Sequence, residues 1–85
     1  MFDDQFLAML RCPEDHSRLS LADAATLARI NNAVAAGRLT SRGGQKIEKS
    51  LDGALIRADG QIIYPIIDQI PILLVDEAIR AADLI

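Results

Sequence analysis

The residues of this chain best suited to chemistry lie close together near its start. Cys12-Pro13-Glu14-Asp15-His16 places a thiol, two carboxylates and an imidazole on one short segment, side chains that can ligate zinc or pair as nucleophile and base. A structural zinc site takes four ligands in a tetrahedral shell, and no other Cys or His occurs in the chain. Closing the shell would require carboxylates such as Asp15 and Asp59, which are poor substitutes for thiolates. A partly buried Cys12 and a solvated His16 is therefore the favoured reading over intrinsic zinc. A Cys12-His16 catalytic pair is the other sharp reading, because an adjacent imidazole favours a thiolate nucleophile. Four residues across Pro13 do not establish that geometry, and nothing marks an oxyanion hole or an orienting third group. Gly43-Gly44 lacks the glycine and lysine spacing of a phosphate loop and reads as a flexible turn. The acidic residues are scattered, so no general acid and base pair stands out.

These residues must be positioned by a small scaffold. With 85 residues there is room for one domain with a small core, and a large catalytic cleft is not expected. Apolar residues make up 51% and charged ones 25% of the chain, a globular balance, while two Phe and one Tyr leave the core to Ile, Leu and Val. A net charge of -3 provides no excess of Lys and Arg to neutralise phosphates, which argues against direct nucleic-acid binding. One cysteine cannot close an internal disulfide and the start lacks the pattern of a secretory signal, so a reducing cytoplasm is the expected location. The longest apolar run, near Ile70 to Val75, is far shorter than the roughly 20 residues that cross a bilayer, so no membrane span is expected.

Phe2, Phe6, Met9 and Leu10 share one side of a helix predicted from Asp3 to Leu10, with Asp3 as cap and Pro13 beyond its end. Arg18 to Leu21 alternate as a short strand with Leu19 and Leu21 on one side. A longer helix is predicted from about Leu21 to Ala36, with Ser20 and Asp23 at capping-box spacing, Gly37 as the left-handed stop and Leu27, Ile30 and Val34 as its apolar stripe. Arg38 to Ser50 read as a connector with a short strand near Ile47. Ala54 to Ala58 and Gln61 to Ile66 flank Asp59-Gly60, the pair that suits a type I′ hairpin turn. Ile70 to Val75 read as an extended segment whose unbroken apolarity requires both faces to be covered, with Pro71 suited to a sheet edge. A terminal helix capped by Asp76 is predicted near Asp76 to Ala82. The expected fold class is α+β: a small antiparallel sheet of three or four strands with a central helix insertion and short terminal helices.

Four segments together carry a family pattern: Leu10-x-Cys12-Pro13, Arg18-Leu19-Ser20-Leu21, Leu55-Ile56 followed by Gly60, and Tyr64-Pro65-Ile66-x-Asp68-x-Ile70-Pro71-Ile72-Leu73-Leu74. They resemble the Trm-one-twelve-like family of small zinc-ribbon-like methyltransferase-activating subunits and their short bacterial relatives. The match covers the two ends of the chain; residues 1–85 then form a single such domain, with a variable helical insertion at about 22–50. In zinc-containing members a Cys-Pro-x-Cys motif and a second Cys-x-x-Cys in the hairpin supply four thiolates. Here Cys12 matches the first ligand, while Asp15, Arg57 and Gly60 stand at the other three. The resemblance thus implies the scaffold with a degenerate metal site, no cofactor and zinc disfavoured. An ion pair between Asp15 and Arg57 is the expected replacement for the metal cross-link.

The resemblance further implies that the chain is not itself an enzyme and binds an S-adenosylmethionine-dependent methyltransferase that modifies tRNA, rRNA or a release factor, covering apolar surface and extending the enzyme's sheet. Phe2, Phe6, Ile70, Ile72, Leu73 and Leu74 are the candidate partner-binding residues, chosen for apolarity near the matched motifs. A small nucleic-acid-binding ribbon is the rival reading, and it would need Arg38, Arg42, Lys46 and Lys49 to form a patch. A self-associating structural protein, a homo-oligomer, is the third.

Overall fold

In the computed structural model, which describes residues 4–84, a curled antiparallel sheet of five strands carries one long helix and short helical turns. The elements run α1 (Asp4–Met9), β1 (Leu19–Leu21), α2 (Ala24–Ala35), β2 (Gly53–Arg57), β3 (Ile62–Ile67), β4 (Ile70–Pro71), a 3-10 turn (Val75–Glu77), β5 (Ile79–Arg80) and a 3-10 helix (Ala81–Leu84). The α+β class is as expected from the sequence, with β5 added to the three or four strands foreseen. The strands pair in the order β1-β2-β3-β4, and β5 joins β3 beside β4.

Alternation along the β2–β3 hairpin builds two apolar clusters, one on each face of the sheet. Ala54 and Ile63 point to the first, where α2 contributes Ile30, Ala33 and Val34, the connector adds Leu39 and Leu51, and β5 adds Ile79. Leu55, Ile62, Tyr64 and Ile66 point to the second, which is closed by Cys12, Leu19 and Ala78, with Leu7 and Leu10 packed at its border. The unbroken apolar run of β3 follows from this double cover.

Pro65 sits inside β3 at little cost. Its carbonyl accepts from the Ile72 amide at 2.9 Å, on the β4 side, and in an antiparallel ladder a residue's two backbone groups face the same neighbour. The missing N–H therefore points to the gap between β4, which pairs at Ile66 and Ile67, and β5, which pairs at Ile62 and Ile63.

Several local expectations are corrected. Helix α2 starts at Ala24, because Ser20 and Leu21 are engaged with Ile56 and Leu55 of β2. Asp23 alone is the cap, accepting from the Thr26 amide at 2.8 Å. At the other end Gly37, at φ 72, lets its own amide and that of Arg38 return to Val34 and Ala33 in a Schellman motif. Leu21 shares β1 with buried Leu19 yet is itself exposed. The strand near Ile47 is only an isolated bridge between Thr40 and Lys46.

The hairpin at Asp59-Gly60 forms, but with a four-residue loop in which Gly60, and not Asp59, has positive φ. The two-residue left-handed turn lies instead at Asp68-Gln69, φ 51 and 63, joining β3 to β4. The extended segment predicted over Ile70 to Val75 shrinks to two strand residues before the chain coils into the 3-10 turn. In place of the helix predicted near Asp76 to Ala82, Ala78 and Ile79 extend: this buries both residues and pairs Ile79 with Ile63. Asp76 caps no helix; the turn's N-cap position is Leu74. The Asp3 cap lies outside the described residues.

Candidate functional site

The Cys12 loop is a tight reversal closed by its own backbone. Arg11 and Arg18 bridge its root, the Cys12 amide donates to the Ser17 carbonyl at 2.9 Å, and the His16 amide donates to the Cys12 carbonyl at 2.8 Å, with His16 itself left-handed at φ 64. Inside the loop, Asp15 Oδ1 accepts from the Ser17 hydroxyl at 2.7 Å and the Ser17 amide at 3.0 Å. The hydroxyl, then the amide, hold the Asp15 carboxyl down at about 2, and the Cys12 thiol and Arg57 guanidinium add to the effect.

This loop faces the β2–β3 hairpin across a set of ion pairs. Arg57 donates from Nη2 to Asp59 Oδ2 at 2.7 Å and from Nη1 to Glu14 Oε1 at 2.9 Å, and its Nη1 lies 3.7 Å from Asp15 Oδ2. The expected Asp15–Arg57 pair is thus present at the longer distance, while Glu14 makes the close cross-link. Arg42 of the connector grips Glu14 in a bidentate pair at 2.9 and 3.0 Å, the geometry that suits a guanidinium and a carboxylate. Glu14 is lowered from its ordinary value, foremost by the hydrogen bond from Arg42, and Asp59 foremost by that from Arg57. Arg57 is raised, foremost by Asp59.

Beneath these charges, Cys12 Sγ and Tyr64 Oη share a hydrogen bond of 2.9 Å, and both residues are fully buried. Burial, then this bond, pushes the Tyr64 phenol up. The thiol meets the phenol rather than the His16 imagined as its catalytic partner, and His16 is exposed.

Three of the four positions that the family pattern assigned to metal, Cys12, Asp15 and Arg57, therefore converge. Gly60 stands on the same hairpin turn, its amide donating to the Arg57 carbonyl at 2.7 Å. As a donor set they do not fit a zinc ion: one is a thiol bonded to a phenol, one a carboxylate engaged by Ser17, one a cation, and one has no side chain. Among the described residues no group of three or more His, Cys, Asp or Glu is placed to hold a metal.

The sequence reading named Glu14, Arg42 and Tyr64 in other connections but did not place them at this junction. Glu14 had the signal of lying beside Asp15, but a comparison by ligand position selects its neighbour. Arg42 sits in a stretch without periodicity, and Tyr64 read as part of a hairpin strand and of the family motif, with no sign that it meets Cys12.

The partner-binding candidates divide. Ile70 in β4 is 59% exposed and Leu74, at the N-cap of the 3-10 turn, 61%, and Phe6 is exposed on α1. Ile72 and Leu73 are partly buried, Leu73 against the Tyr64 cluster. Phe2 lies outside the described residues. Met9 and Leu21 are further exposed apolar side chains that the sequence reading left out of the partner surface. Of the basic residues a nucleic-acid patch would need, Arg42 is paired with Glu14 and Lys49 with Asp68. Among the described residues no helix is long and apolar enough to cross a membrane.

No family model and no curated protein matches the chain. A solved structure does: that of XF2673 from Xylella fastidiosa, determined by solution NMR, is similar at a TM-score of 0.77 and 32% sequence identity, over 98% of this chain and 86% of that one.

Proposed function

We propose that the chain, which belongs to the same family as XF2673 of Xylella fastidiosa, is a non-catalytic protein-binding module. Its partner is an S-adenosylmethionine-dependent methyltransferase acting on tRNA, rRNA or a release factor, which it activates or stabilises in the cytoplasm. The methyltransferase assignment is supported by the resemblance of the Cys12-Pro13 and Tyr64-to-Leu74 motifs to the Trm-one-twelve-like family. The binding role is carried by one observation: Ile70 of edge strand β4, and Leu74 at the start of the 3-10 turn that follows it, stand in solvent. Apolar side chains left along a short sheet edge are what a partner covers, while the edge supplies backbone groups for pairing.

The module works without zinc in this proposal. The ion pairs of Glu14, Arg57 and Arg42 tie the Cys12 loop, the hairpin and the connector together, which is the mechanical task the metal has in zinc-containing members.

Affinity purification from the native cell tests the reading. A methyltransferase is expected with the wild-type chain and is expected to be lost with Leu74→Asp, a substitution on an exposed side chain that leaves the core intact. Recovery of none under mild conditions refutes the partner assignment, and stoichiometric zinc in the purified protein refutes the metal-free junction alone.

A further inference from the structure

Strand β1 ends the sheet, so among the described residues one edge of Leu19–Leu21 carries no strand, and only Arg18 just before it is bridged, to Arg11. Along it runs a groove of about 230 Å³ between α1 and β1, lined by Leu7 and Ala8 on one side and by Arg18, Leu19, Ser20 and Leu21 on the other, with Arg11 at its end. Successive residues of a strand point to opposite faces. A groove lined by four in a row therefore follows the strand's edge, where backbone groups are offered, and not one of its faces.

The charge at this groove opposes that of the whole molecule. The chain carries -3, yet among the described residues the charged side chains lining the groove are two arginines and no carboxylate. Arg11 is held in place by Nη1 donating to the Ala8 and Leu10 carbonyls at 2.6 and 2.9 Å, bonds that leave its charge unneutralised. The Arg18 backbone is bridged to Arg11, while its side chain has no hydrogen-bond or ion-pair partner among the described residues. Apolar walls, an open strand edge and two unneutralised cations select for an extended segment with acidic side chains between aliphatic ones. A second copy of this chain offers the same two arginines at its own groove and so does not supply the complementary charge.

We propose that this groove docks an extended, acidic segment of a partner protein. The proposal rests on the partner-binding reading only in requiring a partner, since it lies on the sheet edge opposite β4 and its Ile70.

The test is a titration of the full chain, followed through backbone amide NMR shifts, with the capped peptide acetyl-Glu-Val-Asp-Val-Glu-amide and a control in which Lys replaces each acidic residue. The acidic peptide is expected to shift amides of Ala8 and Leu19 to Leu21, with the control at least about tenfold weaker. Arg18→Glu, which removes no side-chain hydrogen bond or ion pair among the described residues, is expected to weaken the acidic peptide by a similar factor and to favour the control. Absence of binding, shifts centred on Ile70 to Leu74, equal binding of both peptides, or equal occupation of the same amides by an oligothymidine strand would each overturn it. The probe contains no methyltransferase, so failure here leaves the purification experiment to stand or fall by itself.

Discussion

The buried bond between Cys12 and Tyr64 makes an asymmetric prediction. Tyr64→Phe removes one hydroxyl and leaves a buried thiol, a weak hydrogen-bonding group that behaves as a small hydrophobe. The expected loss is the net value of the bond, about 1 kcal/mol, or a Tm drop of roughly 4–8 °C for a domain of this size. Cys12→Ala is the harsher change, because it leaves the Tyr64 hydroxyl, fully buried beneath the junction, without its sulfur partner. An orphaned polar group costs roughly 1–3 kcal/mol and the vacated sulfur volume adds to it, so about 3 kcal/mol is expected. That is a large share of the roughly 4–13 kcal/mol typical for a chain of 85 residues. The double variant should cost less than the sum of the two by about 1 kcal/mol or more, because neither partner is then stranded. Urea unfolding followed by circular dichroism, with coincident probes to check two-state behaviour, measures all three. Equal costs for the two single variants, or strict additivity, would refute the bond, as would rapid alkylation of Cys12 in the native protein.

The acidic limb of the stability curve should report the junction. Glu14, Asp15 and Asp59 all have lowered values in the folded state, Asp15 about 2 against an ordinary 3.8. Their contribution is whole above the ordinary carboxylate range and is lost as pH falls through it towards the folded values; Arg57→Met should flatten that limb in thermal melts taken across acid pH. Ile79→Ala, which empties a fully buried position against Ile63, should cost about 2–4 kcal/mol in urea unfolding; a cost below about 1 kcal/mol would mean that β5 is not part of the core. Gln69→Gly should raise stability by about 0.5 kcal/mol, since Gln69 holds φ 63 where an L side chain is strained and glycine is not, partly offset by glycine's greater unfolded freedom; a lower Tm would count against the left-handed turn.

Helix α2 was legible because everything that defines it is local: Asp23 before it, Gly37 after it, and Ile30 and Val34 at helical spacing. Its start was misplaced by a non-local competitor, the pairing of Ser20 and Leu21 with β2. The hairpin was legible for the same local reason, while its turn type was not. Asp59-Gly60 has the composition of a two-residue turn, but the register sets a four-residue loop; Asp68-Gln69 lacks that composition and is bent by the pairing of Ile67 with Ile70. The end of the chain was the least legible part, since the burial of Ile79 beside Ile63 outweighs the local tendency of residues 76–82 to coil into a helix. At the junction, Cys12, Asp15 and Arg57 could be grouped only through the family pattern. The reach of Glu14, the approach of Arg42 and the depth of Tyr64 depend on how three distant segments meet.

Because the β2–β3 hairpin contributes side chains to both clusters, it sets the order in which the molecule can assemble. Its contacts are short in sequence and need little loop closure, so it can form before either face is covered. The α2 face then condenses onto Ala54 and Ile63, and the Cys12 face onto Leu55 and Tyr64, as separate events sharing one template. Short α1 and the Cys12 loop bring a smaller apolar surface to that template than α2 and the connector do, so they are the portion able to open while the hairpin and α2 stay closed. Amides of residues 10–18 should therefore exchange with solvent ahead of those in β3, and a partner that seats on α1 and β1 would bind the segment with the lowest local stability and slow its exchange most.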